Sequence, residues 1–384
     1  METDDDAVIL FLHPHAIQNQ NRTIIPAQMN GAAKKASGAT NGSNAANGAA
    51  HQLTIVKISP EELKAGNTKP ENIQACLAAF HRDGFAVLEG AIPDDVVDKI
   101  NKKMLADTDI LTSRGDTHYN QGKHIRNISQ KPPLQNEWMF REVWANVHAL
   151  DVIENILGPK PELRFANSNI ALGGATERQA VHADAHFDYP DFCFGVVLNI
   201  YLCDSYPENG STELWLGTHE HARDRDQHVS EHSGWIKEDL FNERAKVSPP
   251  FQPTVKKGSI CIRDLKLWHA GMPNRTDTAR IMLAIDYFPK WYKCAMTLRL
   301  PLSMKPQMEK WGISLVGIEW VDGEMDHLKV PFYQNLTQDP ENYAQGMPNG
   351  TISSRYFRET GKHLPDAVVS EHNYWNPNRA VASQ

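Results

Sequence analysis

The sequence predicts a mainly β domain, an antiparallel sandwich or barrel, with helices flanking it. Three observations carry that expectation. From about Leu163 onward, short segments rich in β-branched and aromatic residues alternate with turn signals. No long helical pattern separates these segments, which argues against parallel βαβ units. Helix-period apolar stripes are concentrated ahead of that point.

Each element follows from a local signal. Ile73, Leu77 and Phe80 recur at helical spacing, and Gly84 then releases a short strand, Phe85-Ala-Val-Leu88. Pro93 stands where a helix starts, Asp94 and Asp95 occupy its first turn, and Val96, Ile100 and Met104 form one stripe behind them. A third helix is expected from about Trp138 to Leu157, closed by Gly158-Pro159. Strands are expected at Val196–Leu202, Leu214–Leu216, Ser259–Ile262 and Ile281–Phe288, with Glu208-Asn-Gly210 as a tight turn. The polar insert from His219 to Pro250 is long enough to form a lid. After Trp291, aromatics mix with Pro and Gly and no period emerges.

Asn30–Ala50 holds no large apolar side chain, so it cannot bury enough surface to offset its ordering entropy. Residues 1–50 therefore read as a tail and linker, residues 51–292 as the globular domain, and residues 293–384 as an extension packing on it.

Composition narrows the function classes. With 41% hydrophobic and 22% charged residues, the chain is globular in texture. Its 39 Lys and Arg against 47 Asp and Glu give a net charge of −8, which argues against nucleic acid or an anionic membrane as the main partner. Five scattered cysteines without a CxxC exclude a disulfide scaffold and a thiolate zinc site. No apolar run approaches a membrane span, the start is acidic where a signal peptide is basic, and the last three residues are no peroxisomal signal. A cytoplasmic location is the expectation.

The chemistry concentrates in Gln179-Ala-Val-His182-Ala-Asp184-Ala-His186-Phe-Asp188. In extended backbone, residues two apart share a face and sit about 6–7 Å apart, so His182 and Asp184 project together. An imidazole and a carboxylate supply two neighbouring ligands for one metal ion. His269, in Leu267-Trp-His269-Ala-Gly271, offers a third. Two His and one carboxylate on one face of Fe(II) leave three positions open. Arg280 lies 11 residues past His269, at the head of a strand that can return it to the same barrel mouth. Its guanidinium fork suits a carboxylate, and a 2-oxo acid that chelates iron at one end and meets arginine at the other fits both features. His186 and Asp188 have the same spacing and form an alternative pair. The histidines at 219, 221, 228 and 232 read as a solvated or lid segment. Arg263 and Asp264 read as a mutual ion pair or a turn cap.

From about residue 70 to 292 the chain resembles the phytanoyl-CoA dioxygenase family of Fe(II)/2-oxoglutarate oxygenases, in particular its fungal members. The resemblance rests on Gln179-x-x-His182-x-Asp184, Pro207-Glu-Asn-Gly-Ser-Thr212, Gly217-Thr-His219 and Arg263-Asp-Leu-Lys-Leu-Trp-His269, with Asn274 and Arg280 extending the last. It implies a double-stranded β-helix, the cupin-like jelly-roll, with flanking helices. It also implies decarboxylation of 2-oxoglutarate to succinate and CO2, with O2 as oxidant, coupled to oxidation of a C–H bond. His182, Asp184 and His269 match the iron ligands, Arg280 matches the anchor for the cosubstrate's carboxylate, and Gln179 and Thr212 match positions near the cosubstrate. Because Asp184 is a carboxylate, hydroxylation, desaturation or rearrangement is expected rather than halogenation, whose enzymes free that position for chloride. The expected substrate is a small molecule, with a secondary metabolite favoured. Homodimers occur among fungal relatives, and the segment after Trp291 is a candidate for that contact or for a cavity cover. The alternative is a non-oxygenase metal-binding cupin, an isomerase or binding module, which usually carries three or four ligating histidines and no such arginine.

Overall fold

A computed structural model describes residues 53–329 apart from 116, 118, 185–191, 221–233, 293 and 295. All of them belong to one unit of the chain, 51–384. Its centre is a seven-stranded sheet in the order β1-β2-β7-β5-β9-β4-β3. The strands are β1 (Ile55–Lys57), β2 (Phe85–Glu89), β3 (Asn127–Ser129), β4 (Glu162–Ala171), β5 (Val196–Tyr201), β7 (Ile260–Asp264) and β9 (Arg280–Phe288). Only β1 and β2 pair in parallel; the other neighbours are antiparallel.

Strand alternation divides this sheet into two faces. On β9, Ile281, Leu283, Ile285 and Tyr287 enter the main core. There they meet three helices: α2 (Pro70–Asp83), α3 (Asp94–Thr112) and α5 (Val147–Leu157). Arg280, Met282, Ala284, Asp286 and Phe288 alternate with them and face the other way, into the barrel. Met282 joins one inner apolar cluster, with Phe85, Tyr201 and Cys261; Ala284 and Phe288 join another, with Phe194, Val197 and Leu265.

Opposite the inner face lies a smaller set of paired segments. β6 (Glu213–Leu214) pairs antiparallel with β8 (His269–Ala270). His182 pairs with His269 on one side and with Trp235 on the other, while Leu214 pairs with Phe251. Behind this layer, Val181, Ala183, Trp215 and Trp268 pack on Phe241 of helix α6 (Glu238–Val247). Two facing β layers with helices outside the larger one make the jelly-roll the sequence anticipates.

Three expectations need correction. The third helix is broken into α4 (Arg141–Trp144) and α5, because Asn146 leaves helical geometry and its side chain caps Ala149 N at 3.1 Å. In the insert, Trp235 pairs with the site strand and Phe241 is fully buried, so this part of it is core rather than lid. The insert's residues 221–233, with His221, His228 and His232, lie outside the described residues, as do His186, Asp188, the 1–50 tail and everything beyond 329. In the Asn209-Gly210 turn only Gly210 takes a positive φ, 78°.

The stretch after Trp291 forms the parallel pair β10 (Leu298–Pro301) and β11 (Ile318–Val321). Met304, Met308 and Trp311 enter the main core between these strands. Arg164 on β4 donates to Met296 O at 3.1 Å, and His327 bonds Asp107 on α3 at 2.9 Å, so residues 296–329 pack on the domain.

Candidate active site

His182 and Asp184 share a face because Val181 and Ala183 fill the apolar layer behind them. His269 arrives on β8, clamped by backbone bonds in both directions with His182, at 2.9 and 2.8 Å. The strand carrying His182 is also tied to β6, where Arg178 forks onto the Glu213 carboxylate at 2.6 and 2.9 Å. The result is that one ligand atom from each of His182, Asp184 and His269 lies within 4.8 Å of the others.

Each imidazole is oriented by its own backbone. His182 Nδ1 lies 2.8 Å from Ala180 O and His269 Nδ1 lies 3.0 Å from Leu267 O. A proton on Nδ1 serves each carbonyl and leaves the Nε2 lone pair facing the third ligand, which is the tautomer metal-binding histidines require. Arg263 Nη1 also approaches His269 Nδ1, at 3.3 Å. The shorter carbonyl contact decides the tautomer, and the guanidinium packs alongside.

Arg263 itself corrects the sequence expectation. It does not pair with Asp264, because neighbours on β7 point to opposite faces. Its Nη2 donates to Asp184 Oδ2 and its Nε to Asn199 Oδ1 at 3.2 Å. Asp264, on the other face, accepts from Lys266 N at 2.8 Å. Burial works to raise the Asp184 carboxyl, but Arg263, then His269 and His182, hold it well below the usual carboxylate range. Burial lowers His182, and burial with Arg263 and His182 lowers His269 further. The three groups are thus two neutral imidazoles and one carboxylate, with the Asp184 side chain still 36% exposed.

Arg280 is delivered by the loop after β8. Asn274, fully buried, donates to Ala171 O and Thr278 O at 2.8 and 2.7 Å and accepts from Thr276, which fixes the return. Arg280 is 1% exposed and donates through Nη2 to Gly210 O at 2.9 Å. Its Nε and Nη1 are buried without a partner. Gly210 is needed there: a Cβ would meet Met272 O at 2.5 Å. Thr212 and Tyr201 are both buried on this side, and both Thr212 and the Arg280 guanidinium act on the Tyr201 hydroxyl, whose pKa burial nonetheless pushes up. Sequence reasoning did not single out Tyr201, although its inward parity with Val197 and Asn199 on β5 was a readable signal. Gln179 belongs to the frame: its Oε1 accepts from Gly271 N at 2.8 Å and its N–H donates to Gly271 O at 2.8 Å.

The donor set fits a divalent iron. Two neutral nitrogens and one charged oxygen converge from one side, and an arginine with two orphaned buried donors waits at the same inner face.

The phytanoyl-CoA dioxygenase family model matches residues 80–282, more than half of the chain and the whole of this constellation. The chain belongs to that family. It is accordingly an iron- and 2-oxoglutarate-dependent oxygenase. Among solved structures, it is similar to the epimerase SnoN in complex with Fe3+, alpha ketoglutarate and nogalamycin RO, at 16% identity, TM-score 0.47, covering 58% of this chain and 85% of that one. It is also similar to EctD from S. alaskensis with 2-oxoglutarate and 5-hydroxyectoine, at 24% identity and TM-score 0.43, covering 56% and 74%. The non-heme monooxygenase ThoJ matches at 18% identity and TM-score 0.48, over 71% of this chain and 99% of that one. Among the described residues, no helix is long and apolar enough to cross a membrane.

Proposed function

We propose that residues 51–292, with residues 296–329 packed on them, oxidise a C–H bond of a small apolar metabolite by hydroxylation or desaturation. The observation that supports this most directly is the convergence of His182, Asp184 and His269, together with the unsatisfied guanidinium of Arg280 on the same inner face. His182 and His269 would hold iron through Nε2 and Asp184 through a carboxylate oxygen. When bound, the iron with 2-oxoglutarate and O2 supplies the oxidising power, with succinate and CO2 released.

The chain's own residues do the positioning. Arg280, with Thr212 and Tyr201 at its side, binds the cosubstrate's distal carboxylate in a water-poor pocket, where a charge-assisted bond is strong. Arg263 balances Asp184 and orients its carboxylate. Phe165, Phe194, Leu265 and Phe288 keep the inner face apolar, which excludes water and suits a lipophilic secondary metabolite. The cupin alternative leaves the two orphaned donors of Arg280 without a purpose.

The test is anaerobic titration of the purified chain with Fe(II) and then 2-oxoglutarate. A visible charge-transfer band and, on admitting air with substrate, succinate are expected. The variant His269→Ala is expected to lose the band, and its retention there would sink this ligand assignment.

A further inference from the structure

Among the described residues, two buried side-chain oxygens on the inner face have no partner. Asp286 on β9 is 7% exposed and its Oδ1 is unpaired. Asn167 on β4 is 4% exposed and its Oδ1 is unpaired. The sheet register places them together. Asp286 is opposite Phe165 and Asn167 is opposite Ala284, so the two are diagonal neighbours on one face, about 7–8 Å apart at Cα. The same register sets Arg263, Val197, Asp286 and Phe165 in one row across β7, β5, β9 and β4. Asp286 is therefore level with the arginine that holds Asp184 and two strands to its side, roughly 10 Å across the sheet.

Apart from Arg263, Asp184 and the Cys294 thiol, the described residues around Asp286 are apolar. Val197, Phe165, Ala284 and Phe288 flank it on the sheet, and Phe194 and Tyr292 complete the cluster. Phe192 and Trp291 stack edge to face nearby in sequence, 5.1 Å between centroids, and remain 63% and 52% exposed. An orphaned carboxyl in such surroundings is costly, and a leucine would fit the neighbours better. Burial and the nearby Asp184 charge raise the carboxyl well above its usual value, although Arg263 opposes this.

We propose that Asp286, with Asn167 beside it, is the polar recognition point of the substrate cavity and accepts a hydrogen bond from an O–H or N–H on an otherwise apolar, ring-bearing substrate. This specificity role rests on the oxygenase reading and extends it to a substrate class. A bare hydrocarbon at that place would leave both oxygens unsatisfied, which sets the preference for a donor-bearing substrate.

The experiment uses the full chain loaded anaerobically with Fe(II) and 2-oxoglutarate, and three probes followed by ligand-observed NMR: naphthalene, 2-naphthol and 2-naphthylmethylamine. The wild type is expected to bind the two donor probes about tenfold more tightly than naphthalene. Asp286→Leu is expected to shrink that advantage to about twofold or less, and Asp286→Asn to keep part of it for 2-naphthol while losing more for the amine. The melting temperature separates this role from a structural one: with no native bond to lose, Asp286→Leu should melt at the wild-type temperature or about 2 °C or more above it. An unchanged donor preference in Asp286→Leu, no preference in the wild type, or a marked drop in melting temperature overturns the proposal. Failure of the wild type to develop the Fe(II) and 2-oxoglutarate band contradicts the oxygenase reading instead, and is read before any probe is added.

Discussion

At the residue scale, the site is governed by how burial sets charge. Burial beside a guanidinium disfavours a second proton on either imidazole, so each keeps its Nδ1 proton and presents an Nε2 lone pair. A carboxylate in the same place survives only because Arg263 compensates it. Arg280 shows the reverse imbalance, a buried cation with one bond to Gly210 O and two donors left over. Such a group keeps its cost in the empty protein and recovers it when a carboxylate arrives. Arg280→Ala is expected to weaken 2-oxoglutarate binding about 100-fold, the loss of charge-assisted hydrogen bonds worth roughly 3 kcal/mol in all. Anaerobic calorimetric titration of the Fe(II)-loaded variant checks this; an affinity within threefold (about 0.7 kcal/mol) of the wild type would contradict the anchor role. His182 and Asp184 were legible in the sequence because a two-residue spacing in a strand is itself geometry, while His269 was legible from the separate segment Leu267-Trp-His269-Ala-Gly271 and the family motif that holds it. Arg263 and Asp286 were not legible, because their meaning depends on which strand lies opposite, and register does not show in a single segment; Tyr201 was passed over although its parity on β5 could be read.

At the element scale, what was legible followed from backbone chemistry and what was missed followed from tertiary context. Gly84 ends α2 in the left-handed region with φ 72°, as its place after an apolar stripe suggests. The break at Asn146 was hidden inside a continuous apolar pattern. β10 and β11 were missed because a parallel pair far apart in sequence leaves no hairpin signal. The junction of α1 (Pro60–Ala65) and α2 depends on a single buried carboxylate. Glu62, 2% exposed, accepts from Ser59 N at 3.0 Å, Lys69 N at 2.8 Å and Asn72 Nδ2 at 2.9 Å. Burial opposes its charge, but the bonds from Lys69, Ser59 and Asn72 outweigh this and hold its pKa at about 2 against 4.5 for the free side chain. A carboxyl depressed in the folded state stabilises the protein above the unfolded pKa and loses that contribution as pH falls. Glu62 therefore contributes about 3 kcal/mol above pH 4.5, declining between pH 4.5 and about 2. Urea unfolding of the wild type and Glu62→Gln checks it. The gap between them should be widest near pH 6 and narrow towards pH 3, and a gap independent of pH would contradict the assignment.

At the scale of the whole molecule, the fold divides its labour between two faces of one sheet. The outer face is a conventional apolar core closed by α2, α3, α5 and the segment around Met304, Met308 and Trp311. The inner face gives up apolar packing at Arg263, Arg280, Asn167 and Asp286, and these four point into the space that the smaller β layer covers with His182 and His269. The large sheet supplies rigidity from outside and polar chemistry from within, so the ligands are held by paired backbone rather than by free loops. The measurement that bears most directly on this arrangement is anomalous diffraction at the iron edge, from crystals grown anaerobically with Fe(II) and 2-oxoglutarate. One iron peak bounded by His182, Asp184 and His269, with the distal carboxylate of 2-oxoglutarate on Arg280, is the expected result. An iron held by His186 and Asp188 instead, or a cosubstrate that leaves Arg280 unpaired, would contradict the account.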